Sequence, residues 1–347
     1  MSGATVGCCI IWSMPTDTNT ITPKSIFKRM IPAFLLAFLV LIVIGFLGDL
    51  RMITETIRDF KWSIFPAVIL FTLFNYGVRF VKWHYYLGQI GISDFSIGRS
   101  LRLFIAGFPL AMTPGKAGEV LKGVWLNQQT DIPIARGISV VLAERISDGV
   151  AVLLLSTLGV IIYPQYWPVF LFVLLLLLGI IVVSQIRPLA EWLLNYSTRI
   201  PIVRRFSDGL RQFYEGSFAL FRPGVTLVAV GMGMLSWLGE GIGFYIILIN
   251  LGIPAGRESL ATAVFILSFS TIVGAISALP GGLFAAEASI AGMLAVVIGM
   301  STSQASVAAL LIRLATLWFG VSLGLIVWLF SLEYFGFKKP KGVTNEI

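Results

Sequence analysis

LAERISDGVAVLLL, residues 142–155, sets two acids and an arginine inside an apolar run that extends over residues 138–163. About 20 apolar residues cross the ~30 Å hydrocarbon layer of a bilayer, so this run is long enough to span one with its charges inside. Glu144 and Asp148 are four apart and share a helical face, and Arg145 can reach Asp148 three residues on. Each charge at the centre of a lipid-exposed helix costs ~2.5–3.5 kcal/mol, so three would total about 8–10 kcal/mol. They must face protein or a wet cavity. The stretch therefore predicts an all-α, polytopic membrane bundle with a polar interior.

Composition agrees. Of 347 residues 57% are hydrophobic and 12% charged, with a mean hydropathy of +0.91, whereas a soluble domain carries about a quarter charged residues. The net charge of +8 would suggest nucleic acid in a soluble protein. Here basic residues gather in short segments between spans, the pattern of cytoplasmic loops, so no nucleic acid is expected. Cys8 and Cys9 are adjacent and His84 is the only histidine, which speaks against a disulfide framework, a metal site or a catalytic triad. No cofactor and no metal are expected. Residues 1–25 lack a basic region followed by an apolar core, so no removable leader is read there.

Outward from residues 142–155, the chain divides into a cytoplasmic tail (1–30), a first transmembrane half (31–186), a basic amphipathic segment (187–223), a second half (224–331) and a cytoplasmic tail (332–347). Spans are expected at 31–48, 64–87, 138–163, 168–186, 225–250 and 305–330. Residues 49–61 read as a connection of mixed sign, and YPQYWP at 163–168 as an aromatic turn at headgroup level. Basic residues before the first span and after the last place both termini in the cytoplasm, in a multi-pass protein of the cell (inner) membrane. Residues 187–222 place apolar side chains at helical spacing among six arginines, which suits a helix lying on the membrane surface.

Two segments are apolar but broken. TPGKAG interrupts residues 97–126 at Pro114, Gly115 and Gly118, and LPGG interrupts residues 260–300 at Pro280, Gly281 and Gly282. Proline removes a helix hydrogen bond and glycine permits a tight turn. Each segment is then a re-entrant hairpin or a pair of thin spans.

The breaks belong to an internal repeat. YYLGQIGI ending at Ile92 resembles YIILINLGI ending at Ile253, an offset of 253 − 92 = 161, and Glu119 with Arg145 match Glu287 with Arg313 at 287 − 119 = 313 − 145 = 168. Sign counting runs the two copies in opposite directions across the membrane. Inverted repeats with discontinuous helices are a recurrent plan for transporters, with the substrate near the midplane. Arg79 and Glu240 occupy matching places, which admits a salt bridge between them, although matching positions in a repeat need not touch. Lys82, His84, Arg99 and Arg102 lie near a helix end, where snorkelling to the headgroups is the default.

A substrate path is thus expected along Lys116, Glu119, Lys122, Glu144, Arg145, Asp148, Glu240, Glu287 and Arg313. The cations and the helix N-termini exposed at the breaks suit a phosphate. The acids suit a cationic headgroup or coupling protons.

With PGKAGEVLKG (114–123), AERISDG (143–149) and PGGLFAAEA (280–288) in order between long apolar segments, the chain resembles the flippase-like domain family. This is the membrane region of bacterial lysylphosphatidylglycerol synthase/flippase proteins, found also in stand-alone relatives. The likeness covers about residues 31–335. It implies a lipid translocase for phosphate-bearing lipids, not an enzyme, and carries function onto Pro114, Gly115, Gly118, Glu119, Glu144, Arg145, Asp148, Pro280, Gly281 and Glu287. No aminoacyl-transfer domain follows Ile347, so a separate lipid-modifying enzyme is an expected partner beside the lipid and the bilayer, and self-association is compatible. A membrane-embedded transferase using Glu144 or Asp148 as base, or a regulatory membrane subunit, is the alternative.

Overall fold

The computed structural model describes residues 50–113, 118–160, 167–188, 191–192, 196 and 207–331, and every regular element among them is helical. In chain order these are α1 (Leu50–Asp59), α2 (Phe65–Gln89), α3 (Ile97–Ala106), α4 (Leu121–Thr130), α5 (Ile134–Val160), α6 (Trp167–Gln185), α7 (Ser207–Leu220), α8 (Pro223–Asn250), α9 (Arg257–Ile276), α10 (Ala285–Met293), α11 (Thr302–Arg313) and α12 (Phe319–Phe330). A π turn at Leu314–Trp318 joins α11 to α12, so Thr302–Phe330 is one rod. The expected span at residues 31–48, the terminal tails, most of the aromatic turn, and Pro114, Gly115 and Lys116 lie outside the described residues.

Five described helical segments are long and apolar enough to cross a membrane: Trp62–Gln89, Pro223–Asn250, Arg257–Ile276, Pro280–Ile298 and Thr302–Phe330. With Ile134–Val160, a 27-residue helix that carries the charges of AERISD, they make a multi-pass membrane protein. Its polarity is inside out. Leu70, Phe172, Leu227 and Leu329 are exposed, whereas Lys82, Lys122, Glu119, Glu144, Asp148 and Glu287 are buried. Lipid tails solvate the former and only partner groups stabilise the latter.

Residues 49–61, expected as a connection, are largely helix. In α1 Ile53 is buried while Arg51 pairs with Glu55 at 3.1 Å on the exposed side. The mixed signs are the polar face of an amphipathic helix packed on α11. From the basic segment, α7 turns Gly216, Ser217 and Leu220 inward. A side chain at 216 would strike Ser139 of α5 at 2.2 Å.

The two copies share local structure. Gly91 (φ 95°) and Gly252 (φ 99°) end α2 and α8 in the left-handed conformation. Ile92 N–H donates to the Leu87 carbonyl at 3.0 Å and Ile253 N–H to the Leu248 carbonyl at 3.1 Å, the same helix-ending bond twice. The copies also touch along these helices. Lys61 N–H donates to Asn250 Oδ1 at 3.2 Å, Gly243 packs against Val68 and Phe71, Gly239 against Phe74, and Asn75 Nδ2 donates to the Ser236 carbonyl at 3.0 Å. As the number rises along one helix it falls along the other, so α2 and α8 run antiparallel. Asn75 and Ser236, 161 residues apart, are repeat equivalents in contact.

The hairpins are unequal. In the first, α3 and α4 have 10 residues each, about 15 Å of helix apiece. In the second, α9 has 20 residues and Pro280–Ile298 has 19, enough for ~30 Å. Their breaks adjoin: a Cβ on Gly281 would lie 2.9 Å from the Met112 sulfur, at the end of the 3-10 turn Phe108–Met112.

Candidate functional site

Where the breaks meet α2, α5, α8, α9 and α11, the chain leaves a cavity of about 170 Å³, room for several waters at ~30 Å³ each. Arg79, Lys122, Arg145 and Arg313 reach its wall, as do Glu119 and Glu240. Positive charge exceeds negative at the surface because three further acids stand behind the cations.

The arginines are held in the same way in both copies. Arg145 of α5 donates from Nε to Glu119 Oε2 at 2.9 Å and from Nη2 to Glu119 Oε1 at 3.0 Å, a bidentate pair spanning 26 residues. Arg313 of α11 donates from Nε to Glu287 Oε1 at 2.6 Å, again across 26 residues, and from Nη2 to the Gly281 carbonyl at 2.5 Å. Each pair ties the segment after a break to the following long helix. A guanidinium has five donors, and each uses two here, which leaves the rest for a ligand in the cavity. The π turn begins immediately after Arg313, where an extra residue in the turn resets the direction of the helix face.

Other cations neutralise acids deeper in the wall. Lys82, fully buried, pairs with Asp148 and donates to Ser147 Oγ at 3.3 Å, and Arg79 approaches the second Asp148 oxygen at 3.5 Å. Lys122 Nζ lies 3.5 Å from Glu144 and 5.1 and 5.6 Å from the ring centres of Trp83 and Phe104, an aromatic cradle for an ammonium. Its stem crosses Gly107 so closely that a Cβ there would meet Cε at 2.1 Å. A side chain at 107 would displace the end of this lysine.

The breaks are shaped by their own residues. Thr113 Oγ1 accepts from Gly118 N–H at 2.8 Å, joining the described residues on either side of the first break. In the second, Gly281 (φ 62°) and Gly282 (φ 66°) take left-handed conformations that glycine adopts freely, and a Cβ at Gly282 would press on the Gly274 backbone at 3.1 Å.

Of the residues singled out in the sequence, Glu119, Lys122, Arg145, Glu240, Arg313, Gly281 and Gly282 line the cavity. Glu144, Asp148 and Glu287 lie in the ionic layer around it, Gly118 follows the first break and Pro280 opens the second. Three readings are corrected. Arg145 pairs with Glu119 rather than with its helix neighbour Asp148, because its side chain is drawn across to the hairpin. Arg79 pairs with Asp148 and makes no bridge to Glu240. Lys82 does not snorkel but is sealed against Asp148. Arg79 and Lys82 lie three apart on one face of α2, a spacing visible in the sequence that could have marked them as one cationic site. Tyr76, Trp237, Ser270 and Thr271, also on the wall, carry no motif that would have found them.

The sequence pattern of the lysylphosphatidylglycerol synthase TM region matches residues 33–324. A UPF0104 membrane protein of Methanothermobacter thermautotrophicus is 27% identical over 330 residues, covering 89% of this chain and 94% of that protein. No solved structure matches the chain.

Proposed function

The chain belongs to the lysylphosphatidylglycerol synthase TM-region family, and from that membership and the geometry of its cavity we propose that it is a lipid translocase. The phosphate of a lipid headgroup passes along the wall formed by Arg79, Lys122, Arg145 and Arg313 while its acyl chains stay in the bilayer. The observation that carries this reading is the twice-built arginine clamp: a carboxylate behind each guanidinium fixes its direction, and its remaining donors meet a cavity between two broken hairpins. Fork-shaped arginine donors match phosphate oxygens bidentately.

Antiparallel packing of α2 against α8, together with contact between the equivalents Asn75 and Ser236, supports two inverted halves at residues 31–186 and 224–331. In an inverted pair one access route closes as the other opens, with the site held at the midplane. Cytoplasmic termini in the cell membrane and a separate lipid-modifying enzyme upstream complete the proposal.

The test is scrambling of a fluorescent phospholipid in proteoliposomes, read by quenching of the outer leaflet. Arg145→Ala and Glu119→Ala, each confirmed as folded by gel filtration, slow lipid movement at least tenfold. Wild-type rates in both folded variants would remove the arginine clamp from the mechanism. Product formation from a lipid phosphate and an activated donor, with no lipid movement, would establish the transferase reading instead.

A further inference from the structure

Four of the intramembrane acids are held by cations within 4.0 Å: Glu119 by Arg145, Glu144 by Lys122, Asp148 by Lys82 and Arg79, and Glu287 by Arg313. Glu240 of α8 differs. It is 8% exposed, lines the cavity and has no ion-pair partner among the described residues. The charges that act on it are Arg79 of α2, Arg313 of α11 and Asp148 of α5. Tyr76 of α2 shares its wall, and the polar side chains that α9 brings to the lining are Ser270 and Thr271. Arg79 and Arg313 are thus the cations that compensate its carboxylate at a distance, and they are also two of the four that face the cavity.

An anion entering the cavity competes for those same guanidinium groups and places a second negative charge beside the carboxylate. Resting on the translocase reading, we propose that Glu240 is a proton-binding site coupled to the lipid: its carboxylate takes up one proton from water as a lipid phosphodiester binds, and releases it when the phosphodiester leaves. The charges balance. One negative phosphodiester and one proton enter together, the carboxylate becomes a neutral carboxyl, and the loaded cavity carries the same net charge as the empty one. Such a step is electroneutral, which avoids the ~2.3 kcal/mol that a 100 mV potential adds or removes for each uncompensated charge. Binding linkage is reciprocal, so the proton favours the anion as much as the anion favours the proton.

The experiment is calorimetric titration of the detergent-purified full chain with dihexanoyl phosphatidylglycerol between pH 5 and 9, in pairs of buffers with different ionisation enthalpies. The wild type takes up close to one proton per lipid in part of this range, and there its affinity falls up to ~10-fold per pH unit. Glu240→Gln binds the lipid with no proton uptake and a flat pH dependence. Glu240→Asp keeps both, which separates titration from packing. Lipid binding without proton uptake by the wild type, or unchanged uptake by folded Glu240→Gln, overturns the coupling and leaves the phosphate site standing. No binding at any pH overturns both.

Discussion

Gly107→Ala isolates the contact that aims Lys122. The new Cβ would lie 2.1 Å from Lys122 Cε and 3.1 Å from Lys122 Nζ, and also 3.1 Å from the Phe104 carbonyl. Nothing that close survives, so the lysine must leave its position between Trp83, Phe104 and Glu144 or the backbone must shift. Overpacking of this kind costs about 1–3 kcal/mol, and moving the ammonium away strips fully buried Glu144 of its cation. Leaving one member of a buried pair alone costs about 3–5 kcal/mol, so Lys122→Ala is itself destabilising by that order. The two losses overlap, because each removes the lysine from Glu144. In a double-mutant cycle, Gly107→Ala should therefore cost ~2 kcal/mol or more in the wild type and less than ~1 kcal/mol in Lys122→Ala. Reversible unfolding of purified protein in mixed micelles, followed by tryptophan fluorescence, measures all four corners. Additive losses would refute the reasoning, since the alanine would then be striking something other than Lys122.

Asp148→Asn leaves Lys82 fully buried beside a neutral amide and should lower stability by about 3–5 kcal/mol, whereas Lys82→Met combined with Asp148→Leu recovers only part of that loss in the same unfolding assay, because Arg79 loses its acid as well. Gly281→Ala forces a side chain into φ 62° and onto the Met112 sulfur, costing ~1–2 kcal/mol from the backbone alone. Met112→Ala should therefore relieve only the contact, leaving a residual drop in thermal midpoint.

The helical bundle, the two breaks and the spacing of the clamps are legible in the sequence because each of these leaves a local mark. A charge within an apolar run, a Pro-Gly pair and a recurrent 26-residue spacing are all one-dimensional signals. Partner choice among the charges is not. Arg145 has Asp148 one turn away on its own helix and still pairs with Glu119, because α4 and α5 pack at Gly123 and Gly137, where a Cβ on either glycine would lie under 3.0 Å from the other helix. That close approach is decided by two small residues far from the charge. Lys82 shows the same: its nearness to a helix end suggests snorkelling, and only the docking of α2 on α5 seals it. The character of α1 was hidden by opposite charges that occupy its outer face.

The two copies keep some charges and lose others: Lys82, Lys122, Glu144 and Asp148 correspond to Gly243, Ile290, Ile312 and Thr316. The clamps at Arg145 and Arg313 match across the copies, whereas the equivalents Arg79 and Glu240 carry opposite charges on adjoining helices. The opposite charges make the two sides of the cavity chemically different. Arg79 is tied to Asp148, while Glu240 has no ion-pair partner among the described residues. The cavity thus keeps its arginine clamps in common between the copies, and sets a carboxylate with no ion-pair partner among the described residues against a guanidinium that has one. That carboxylate is the group on which the proposed coupling rests.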